Sequence, residues 1–275
     1  MSVTRTRPNV PGGLAGFLWL LVVLVPVYYV VVTSLRSQEG FFSANPLVPP
    51  AEPTLDAYRL VLANDFGRYL LNSVVVTLGA VAITVGVSLL AAYFVVRSDT
   101  RLGRLTYRAF LLGLAIPLQA VIIPVYFLIT RMNLYDTLLA VVLPSAAFAI
   151  PLTVVILANF LRDVPKELFE SMRVDGAGHW RTVFSLVLPL VRPAVITVAV
   201  YDGLQVWNGF LFPLILTQSP EQRVLPLALW SFQGQFTVNV PAVLAAVVLS
   251  TLPVLALYIL GRRYLVSGLT AGFGR

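Results

Sequence analysis

VPKELFESMRVDGAGHWRTVFSLVLPLVRP, residues 164–193, is the one long polar insertion between two apolar segments that has an internal pattern of its own. Pro165 suits the first position of a helix, where its missing N–H costs nothing. Asp175 and Gly176 form a turn signal, because glycine can take the left-handed conformation that closes a helix. The stretch therefore predicts a helix, a glycine turn and a second helix.

Both predicted helices are amphipathic. The polar residues of the first helix are spaced three or four apart on one exposed face, and they are Lys166, Glu170 and Arg173. Its apolar face holds Leu168, Phe169 and Met172. The second helix carries a stripe at helical spacing, formed by Trp180, Val183, Phe184, Val187 and Leu188. Pro189 and Pro193 then predict the end of this second helix.

The composition of the chain is that of a polytopic membrane protein. Of its 275 residues 58% are hydrophobic and 11% are charged, whereas about a quarter of the residues of soluble proteins are charged. The mean hydropathy is +0.87. The absence of cysteine excludes disulfides and thiolate metal sites, and the single histidine, His179, leaves no histidine cluster for a metal. We therefore expect no cofactor in this chain.

Six segments are long and apolar enough to predict transmembrane helices. They lie at about 14–34, 69–96, 109–130, 137–161, 193–217 and 240–261. The polar loop 162–192 joins the fourth segment to the fifth. The whole chain, 1–275, is therefore predicted to be one all-α transmembrane domain.

The basic residues predict the orientation of these segments. With both termini on the cytoplasmic side, fourteen of the nineteen lysines and arginines fall on that side and five on the other. This asymmetry agrees with the positive-inside rule and places the loop 162–192 in the cytoplasm. The net charge of +7 is thus explained by topology and needs no nucleic-acid partner.

Polar residues interrupt the fifth predicted span at short intervals. Asp202 is the one acidic residue inside a predicted span, and Gln205, Trp207 and Asn208 follow it. These side chains are typical of a hydrated path for a polar solute. They are equally typical of hydrogen bonds between packed membrane helices. The sequence leaves both interpretations open.

The chain contains no site for energy conversion. Its one lysine, Lys166, lies outside any Gly-rich phosphate loop, so the polypeptide is not an ATPase by itself. His179, next to Trp180 at a predicted helix start, is expected to be an exposed or capping residue. Two other classes remain as alternatives: an ion-coupled carrier that uses Asp202, and a membrane enzyme acting on lipid.

The chain resembles the inner-membrane permease subunits of binding-protein-dependent ABC importers, in the carbohydrate branch that includes the maltose type. PKELFESMRVDGA at 165–177 is similar to the cytoplasmic EAA loop of that family. LLNS at 70–73, WNGFLFPLILT at 207–217 and VSGLTAG at 266–272 are similar as well. Ser171 and Met172 replace the two alanines that usually follow the glutamate.

The resemblance implies a type I ABC importer fold and a role in ATP-driven uptake of a sugar or related solute by alternating access. It implies that the loop docks on an ATPase, through Glu167, Glu170, Ser171, Met172, Asp175, Gly176, Ala177 and Gly178. It also implies a tail that reaches the ATPase, with Gly268, Leu269, Thr270 and Gly272. The expected partners are a second homologous permease, a dimeric ABC ATPase that binds ATP and Mg²⁺, an external solute-binding protein and membrane lipid. The expected location is the cytoplasmic membrane of a bacterium or archaeon.

Overall fold

The computed structural model describes residues 10–43, 45–232 and 238–271, with the backbone alone described at 231, 232, 257 and 260–271. The regular elements in these residues are helices. The α-helices are α1 (Val10–Ser34), α2 (Gln38–Ser43), α3 (Asp56–Ala63), α4 (Phe66–Arg97), α5 (Arg101–Gly113), α6 (Leu118–Arg131), α7 (Leu138–Arg162), α8 (Lys166–Val174), α9 (His179–Thr182), α10 (Leu188–Trp207), α11 (Leu211–Leu216), α12 (Leu225–Ala228) and α13 (Val240–Ala271). Val183–Val187 is π-helical, and Pro220–Gln222 and Leu229–Phe232 are 3₁₀ turns.

The helices form two compact units. The first comprises the described parts of 1–66 and 229–252. Within it, α1 exposes almost all of its apolar side chains, and its buried residues are Val32, Thr33 and Ser34. The Ser34 hydroxyl lies 2.7 Å from the Tyr58 hydroxyl of α3. An exposed apolar helix of 25 residues is suited to a lipid environment.

The second unit, 67–228 with the described part of 253–275, is built around α7. Helices α5, α6, α10 and α11 pack against α7. Leu89 and Ala92 of α4 join the carboxyl end of α7 in one buried apolar cluster, which also contains Phe169 of α8 and Val187. A second cluster joins the amino-terminal part of α7 to α4, α6 and α11. The unit thus fixes α8 at one end of α7 and α11 towards the other.

Four described helices are long and apolar enough to cross a membrane: Val10–Ser34, Phe66–Arg97, Leu138–Arg162 and the continuous helix His179–Trp207. The first three lie within three residues of predicted spans at almost every end. The sixth predicted span starts at Val240 as expected, but α13 continues to Ala271.

Thr137 caps α7, because its hydroxyl accepts a hydrogen bond from the Ala140 N–H at 3.2 Å.

The third predicted span, 109–130, is not one straight helix. Helix α5 begins at Arg101, inside the segment expected to be a basic loop, and ends at Gly113. Helix α6 begins after Pro117 and is bent by 107° from α5. Proline has no N–H to donate and disfavours a helical conformation of the residue before it, so the chain breaks at 114–117. The pair α5 and α6 forms a fifth candidate span only if both helices are counted together.

The prediction that Pro189 and Pro193 end the second loop helix is wrong. The chain is helical from His179 to Trp207, so the second half of the predicted loop 162–192 belongs to the same helix as the fifth span. The Leu188 N–H donates to the carbonyl of Val183, five residues earlier, in a π-helical turn. This wider turn precedes Pro189 and relieves the clash that its ring would cause in a regular α-helix. Helix α10 ends at Trp207, and α11 begins at Leu211, so the predicted span 193–217 is also broken.

Candidate functional site

Two backbone hydrogen bonds close the turn after α8. The Ala177 N–H donates to the Met172 carbonyl at 2.8 Å, and the Gly176 N–H donates to the Arg173 carbonyl at 3.0 Å. Gly176 has a φ of +68°, which glycine adopts at little cost. A Cβ added to Gly176 would meet no atom within 4 Å. The backbone conformation alone therefore requires glycine, and the predicted helix, glycine turn and helix are confirmed.

One aromatic side chain attaches α8 to the rest of its unit. Phe169 is 3% exposed and belongs to the apolar cluster at the carboxyl ends of α4 and α7. The Arg97 guanidinium lies 4.4 Å above the centre of its ring, and the Tyr93 ring centre is 6.5 Å away. Such a cation over an aromatic face is attracted by the ring electrons. The position of α8 therefore depends on Phe169 and the end of α4.

The rest of the segment 166–184, which we call the coupling segment, is open on its surface. Of the predicted docking residues, Met172 and Ala177 are half-buried, and the exposed ones are Glu167, Glu170, Ser171, Asp175, Gly176 and Gly178. Val174, in the last position of α8, is 87% exposed. Trp180 and Phe184 are also exposed, and their rings stack with centres 6.1 Å apart. An exposed apolar surface of this kind is typical of a contact with a partner protein or with a membrane.

A cavity of about 400 Å³ lies against α7, α10 and α11. Its walls are mostly apolar, with four residues that carry polar side-chain groups: Ser145, Tyr201, Asp202 and Gln205. Phe148, Phe210 and Phe212 add aromatic surface. A mostly apolar cavity with a few convergent polar groups is the usual form of a small-molecule site.

Asp202 combines the two interpretations that the sequence left open. It lines the cavity, yet it is only 2% exposed. The Thr153 hydroxyl of α7 donates a hydrogen bond of 2.8 Å to its Oδ2 atom. The carboxyl group is therefore a contact between two helices and also part of the cavity wall.

The structure brings only part of the predicted solute path to this cavity. Gln205 lines it together with Asp202, whereas Trp207 and Asn208 are absent from its lining. Trp207 is 7% exposed. The Asn208 side-chain amide donates to the Leu204 carbonyl at 2.8 Å, so it caps its own helix. The spacing of polar residues along one segment does not by itself identify those that share a cavity.

Sequence reasoning missed Ser145, Thr153 and Tyr201. Ser145 and Thr153 are polar residues within the apolar fourth span, eight positions apart and hence on neighbouring parts of one helix face. That spacing was a usable signal for a polar face on α7. Nothing in the sequence paired that face with Asp202, 49 residues after Thr153.

Side chains also fasten the loop that follows α11. The Asn72 side-chain amide donates to the carbonyls of Glu221 and Arg223, both at 2.8 Å. The Leu225 N–H donates to the Ser73 hydroxyl at 2.8 Å. Asn72 and Ser73 belong to the LLNS stretch that opens α4. This stretch therefore holds the loop 217–225 in place.

Asp136 makes a further contact with the same loop. Its Oδ1 atom accepts hydrogen bonds from the N–H groups of Gln218 at 2.8 Å and Ser219 at 3.0 Å. The hydrogen bond from Gln218 has the largest effect and lowers the pKa of Asp136; burial opposes it, and the hydrogen bonds from Ser219 lower the pKa further. The ionised carboxylate is therefore the form that holds the loop.

The remaining predicted site residues are those of the tail. Gly268, Leu269 and Thr270 lie on the helical backbone of α13, and Gly272 lies outside the described residues. Across the described ranges, no three histidine, aspartate or glutamate side chains are grouped so that they could hold a metal ion.

Comparison with known proteins identifies the family. Residues 82–270 match the family model of the binding-protein-dependent transport system inner membrane component. The chain is 37% identical over 254 residues to a putative ABC transporter permease of Caldicellulosiruptor sp., covering 92% of each chain. It is 33% identical over 265 residues to the trehalose/maltose transport system permease of Thermococcus litoralis, covering 94% of each chain.

A solved structure shows the same fold. A bacterial ABC transporter involved in import of the acidic polysaccharide alginate aligns with a TM-score of 0.82 at 19% identity, over 96% of this chain and 99% of the other. Members of the matched family are transmembrane subunits, and a separate ATPase subunit hydrolyses ATP. The chain therefore belongs to the family of inner membrane components of binding-protein-dependent transport systems, as a multi-pass, non-enzymatic permease subunit of an ABC importer.

Proposed function

We propose that this permease moves a sugar or a related polar solute into the cytoplasm by alternating access. The coupling segment is the observation that carries the proposal. It combines a glycine-closed helix end, a buried Phe169 anchor and an exposed surface that includes Val174. The solute class is supported by the relative from Thermococcus litoralis, which is a trehalose/maltose transport permease.

The coupling segment would transmit motion from a dimeric ATPase to the helices. Its exposed residues would dock on the ATPase, which supplies the ATP and Mg²⁺ sites that this chain lacks by sequence. Phe169 would carry the displacement to the cluster that contains Leu157 and Val187. Because a close-packed cluster transmits displacement, the ends of α4, α7 and α10 would move together.

The topology in this proposal has six spans and both termini in the cytoplasm. The four long apolar helices supply four spans. The bent pair α5 and α6 and the apolar part of α13 would supply the third and sixth. The distribution of basic residues supports this orientation and puts the coupling segment on the cytoplasmic side.

The solute path would pass the cavity beside α7 and α10. Asp202, Gln205, Ser145 and Tyr201 offer hydrogen-bonding groups for sugar hydroxyls, and the neighbouring phenylalanines offer apolar contact. Trp207 and Asn208, the other two residues expected on the path, do not line this cavity.

The proposed assembly contains further partners. A second homologous permease would complete the pathway, and an external binding protein would deliver solute. The tail residues Gly268, Leu269, Thr270 and Gly272 would extend towards the ATPase, and lipid would cover exposed helices such as α1.

The proposal is tested by purifying the tagged chain from its native membrane in mild detergent and identifying the proteins that accompany it. We expect an ABC ATPase and a second permease. Gly176→Val places a β-branched residue at a φ of +68° and should remove the ATPase while the chain still inserts. Gly86→Val is the matched control, because a Cβ there meets no atom within 4 Å and the site lies within α4. Retention of the ATPase by Gly176→Val would contradict the docking role.

An ion-coupled carrier is a second candidate because Asp202 is a buried carboxyl group in a span. It predicts uptake driven by an ion gradient in vesicles without nucleotide, and loss of that uptake in Asp202→Asn. Uptake that depends on ATP and on the partner ATPase excludes it.

A further inference from the structure

A second pocket lies behind the coupling segment. Its volume is about 270 Å³, and its lining residues are Tyr93, Arg97, Phe169, Arg173, Ala177, Gly178, His179 and Thr182. It is more polar than the cavity beside α10, since two guanidinium groups, an imidazole and two hydroxyl groups line it. No acidic residue belongs to this lining. The proposed coupling mechanism uses Phe169, Ala177 and Gly178 of this lining but gives no role to the pocket itself.

The two guanidinium groups keep their donors available. In the described part of the chain, neither Arg97 nor Arg173 forms an ion pair, and the one ion pair found there joins Arg59 to Asp56. The Arg97 Cζ atom lies 4.4 Å from the centre of the Phe169 ring, and this contact restrains the side chain without using its N–H donors. A guanidinium presents several N–H donors in a fixed fork that matches phosphate geometry.

The remaining walls add to the preference for an anion. Gly178 and His179 stand at the amino-terminal end of the continuous helix 179–207, where the backbone carries partial positive charge. The His179 Nδ1 atom is 3.1 Å from the Tyr93 hydroxyl, so that contact fixes the orientation of the ring. The pocket therefore combines two unpaired cations with a positive helix end.

The surroundings indicate where an anion would come from. Arg97 is the last residue of α4, a helix long enough to span a membrane, and it directly follows the charge-free apolar stretch 69–96. Basic residues at such helix ends reach towards lipid headgroups. The exposed Trp180 and Phe184 rings stack a few residues away. Aromatic residues are typical of the membrane interface, and basic pockets between membrane helices bind lipid headgroups.

We propose that this pocket binds a phosphate group, held by Arg97 and Arg173, and that an anionic phospholipid headgroup supplies it. A lipid held there would contact Phe169, the anchor of α8, through Arg97. The coupling segment would then respond to the composition of the membrane as well as to its ATPase. This inference goes beyond the proposed function, and its test does not depend on ATPase docking.

The experiment is a lipid titration of the purified full-length chain in mild detergent, followed by native mass spectrometry. Phosphatidylglycerol is compared with phosphatidylcholine of the same acyl chains, and the dissociation constant of the first bound lipid is measured. Each arginine near anionic lipid contributes enough affinity for roughly a fivefold change. Arg173→Gln should therefore raise the dissociation constant for phosphatidylglycerol roughly fivefold. The double variant Arg97→Gln with Arg173→Gln should raise it roughly thirtyfold.

The matched control removes the same two charges from α5. Arg101→Gln with Arg108→Gln changes exposed residues outside the pocket. The dissociation constant of the first bound lipid should stay within about twofold of its value in the unsubstituted chain. Arg173→Gln keeps the test valid if loss of the Arg97 contact with Phe169 perturbs folding, because Arg173 is exposed. Equal weakening by the pocket and control variants would overturn the proposal, since it would indicate unspecific attraction.

Two further outcomes would overturn the proposal that a phospholipid headgroup supplies the phosphate. Displacement of the first lipid by millimolar inorganic phosphate, with direct binding of phosphate, would assign the pocket to a free anion. Loss of ATPase recovery in Arg173→Gln with unchanged lipid affinity would assign the two cations to carboxylates of the partner protein.

Discussion

The coupling segment and the cavity beside α10 differ in how the chain builds them. The turn of the coupling segment is closed by hydrogen bonds between residues at most five positions apart, from Met172 to Ala177. The cavity depends on Thr153 and Asp202, which are 49 positions apart. Neighbouring residues can therefore specify the first site, whereas the second exists only when α7 and α10 have packed. The first should be sensitive to backbone conformation, and the second to the pairing of buried groups.

The largest effect should come from the buried aromatic anchor of the coupling segment. Phe169→Ala removes a nearly buried ring from the apolar cluster, and a buried phenylalanine reduced to alanine costs about 3–5 kcal/mol. We expect α8 to detach, with faster proteolysis at Lys166 and Arg173 and loss of ATP-driven uptake. Leu168→Ala, at a 39% exposed neighbour, is the control. Wild-type protease resistance in Phe169→Ala would contradict the role of Phe169 as the anchor of α8.

A smaller effect is expected at the helix contact in the cavity wall. Thr153→Val keeps the shape of the side chain and removes the donor to Asp202. A buried acceptor without its partner costs about 1–3 kcal/mol, so the melting temperature should fall. Replacing Asp202 by leucine in the same chain should recover most of that loss, because no polar group then stays unpaired. The measurement is thermal unfolding in detergent, and an unchanged melting temperature for Thr153→Val would contradict the pairing.

The smallest effect should appear at the loop after α11, which is also fastened by long-range contacts. The pKa of Asp136 is lowered in the folded chain, so its contribution is present above the ordinary value of about 3.9 for aspartate. That contribution is lost as the pH falls through the lower, folded pKa. Hydrogen exchange at the Gln218 and Ser219 amides, corrected for the intrinsic rate, should therefore accelerate in acid.

The control amide is that of Leu225, which donates to the uncharged Ser73 hydroxyl and should show no such acceleration. In Asp136→Asn the exchange of the Gln218 and Ser219 amides should no longer depend on this carboxyl group, and it should be faster at neutral pH than in the unsubstituted chain. Equal acid acceleration at Leu225 would indicate general unfolding and would contradict a specific effect of Asp136.

The same difference explains what could be predicted from the sequence. The helix, glycine turn and helix of the coupling segment follow from Pro165, Gly176 and the apolar spacing, all of which act locally. Helices α1, α4 and α7 were found for the same reason, because length and hydropathy suffice. The break at Pro117 was missed because a proline inside an apolar segment is compatible with either a kinked span or two helices.

The cavity could be predicted only in part. Asp202 and Gln205 were found because polar residues are rare in a span, but their neighbours on α7 depend on packing that the sequence does not reveal. Trp207 and Asn208 do not line the cavity, because their proximity along the chain says nothing about the break of α10 after Trp207. The LLNS stretch was noticed as a resemblance, and only the structure explains it, through its hydrogen bonds to the loop 217–225.

The π-helical turn at Val183–Val187 also sets an angle. Each residue of an α-helix advances the azimuth by about 100°, and a π-helical turn accommodates one extra residue without that added rotation. Converting the turn to a regular helix with the chain length unchanged would therefore swing Asp202 by about 100° away from Thr153, and deleting one residue as well would restore its position. The π-helical turn thus sets the rotation of Asp202 relative to the start of the same helix. Relatives that lack this turn would need one residue fewer in the helix, or their cavity would have different lining residues.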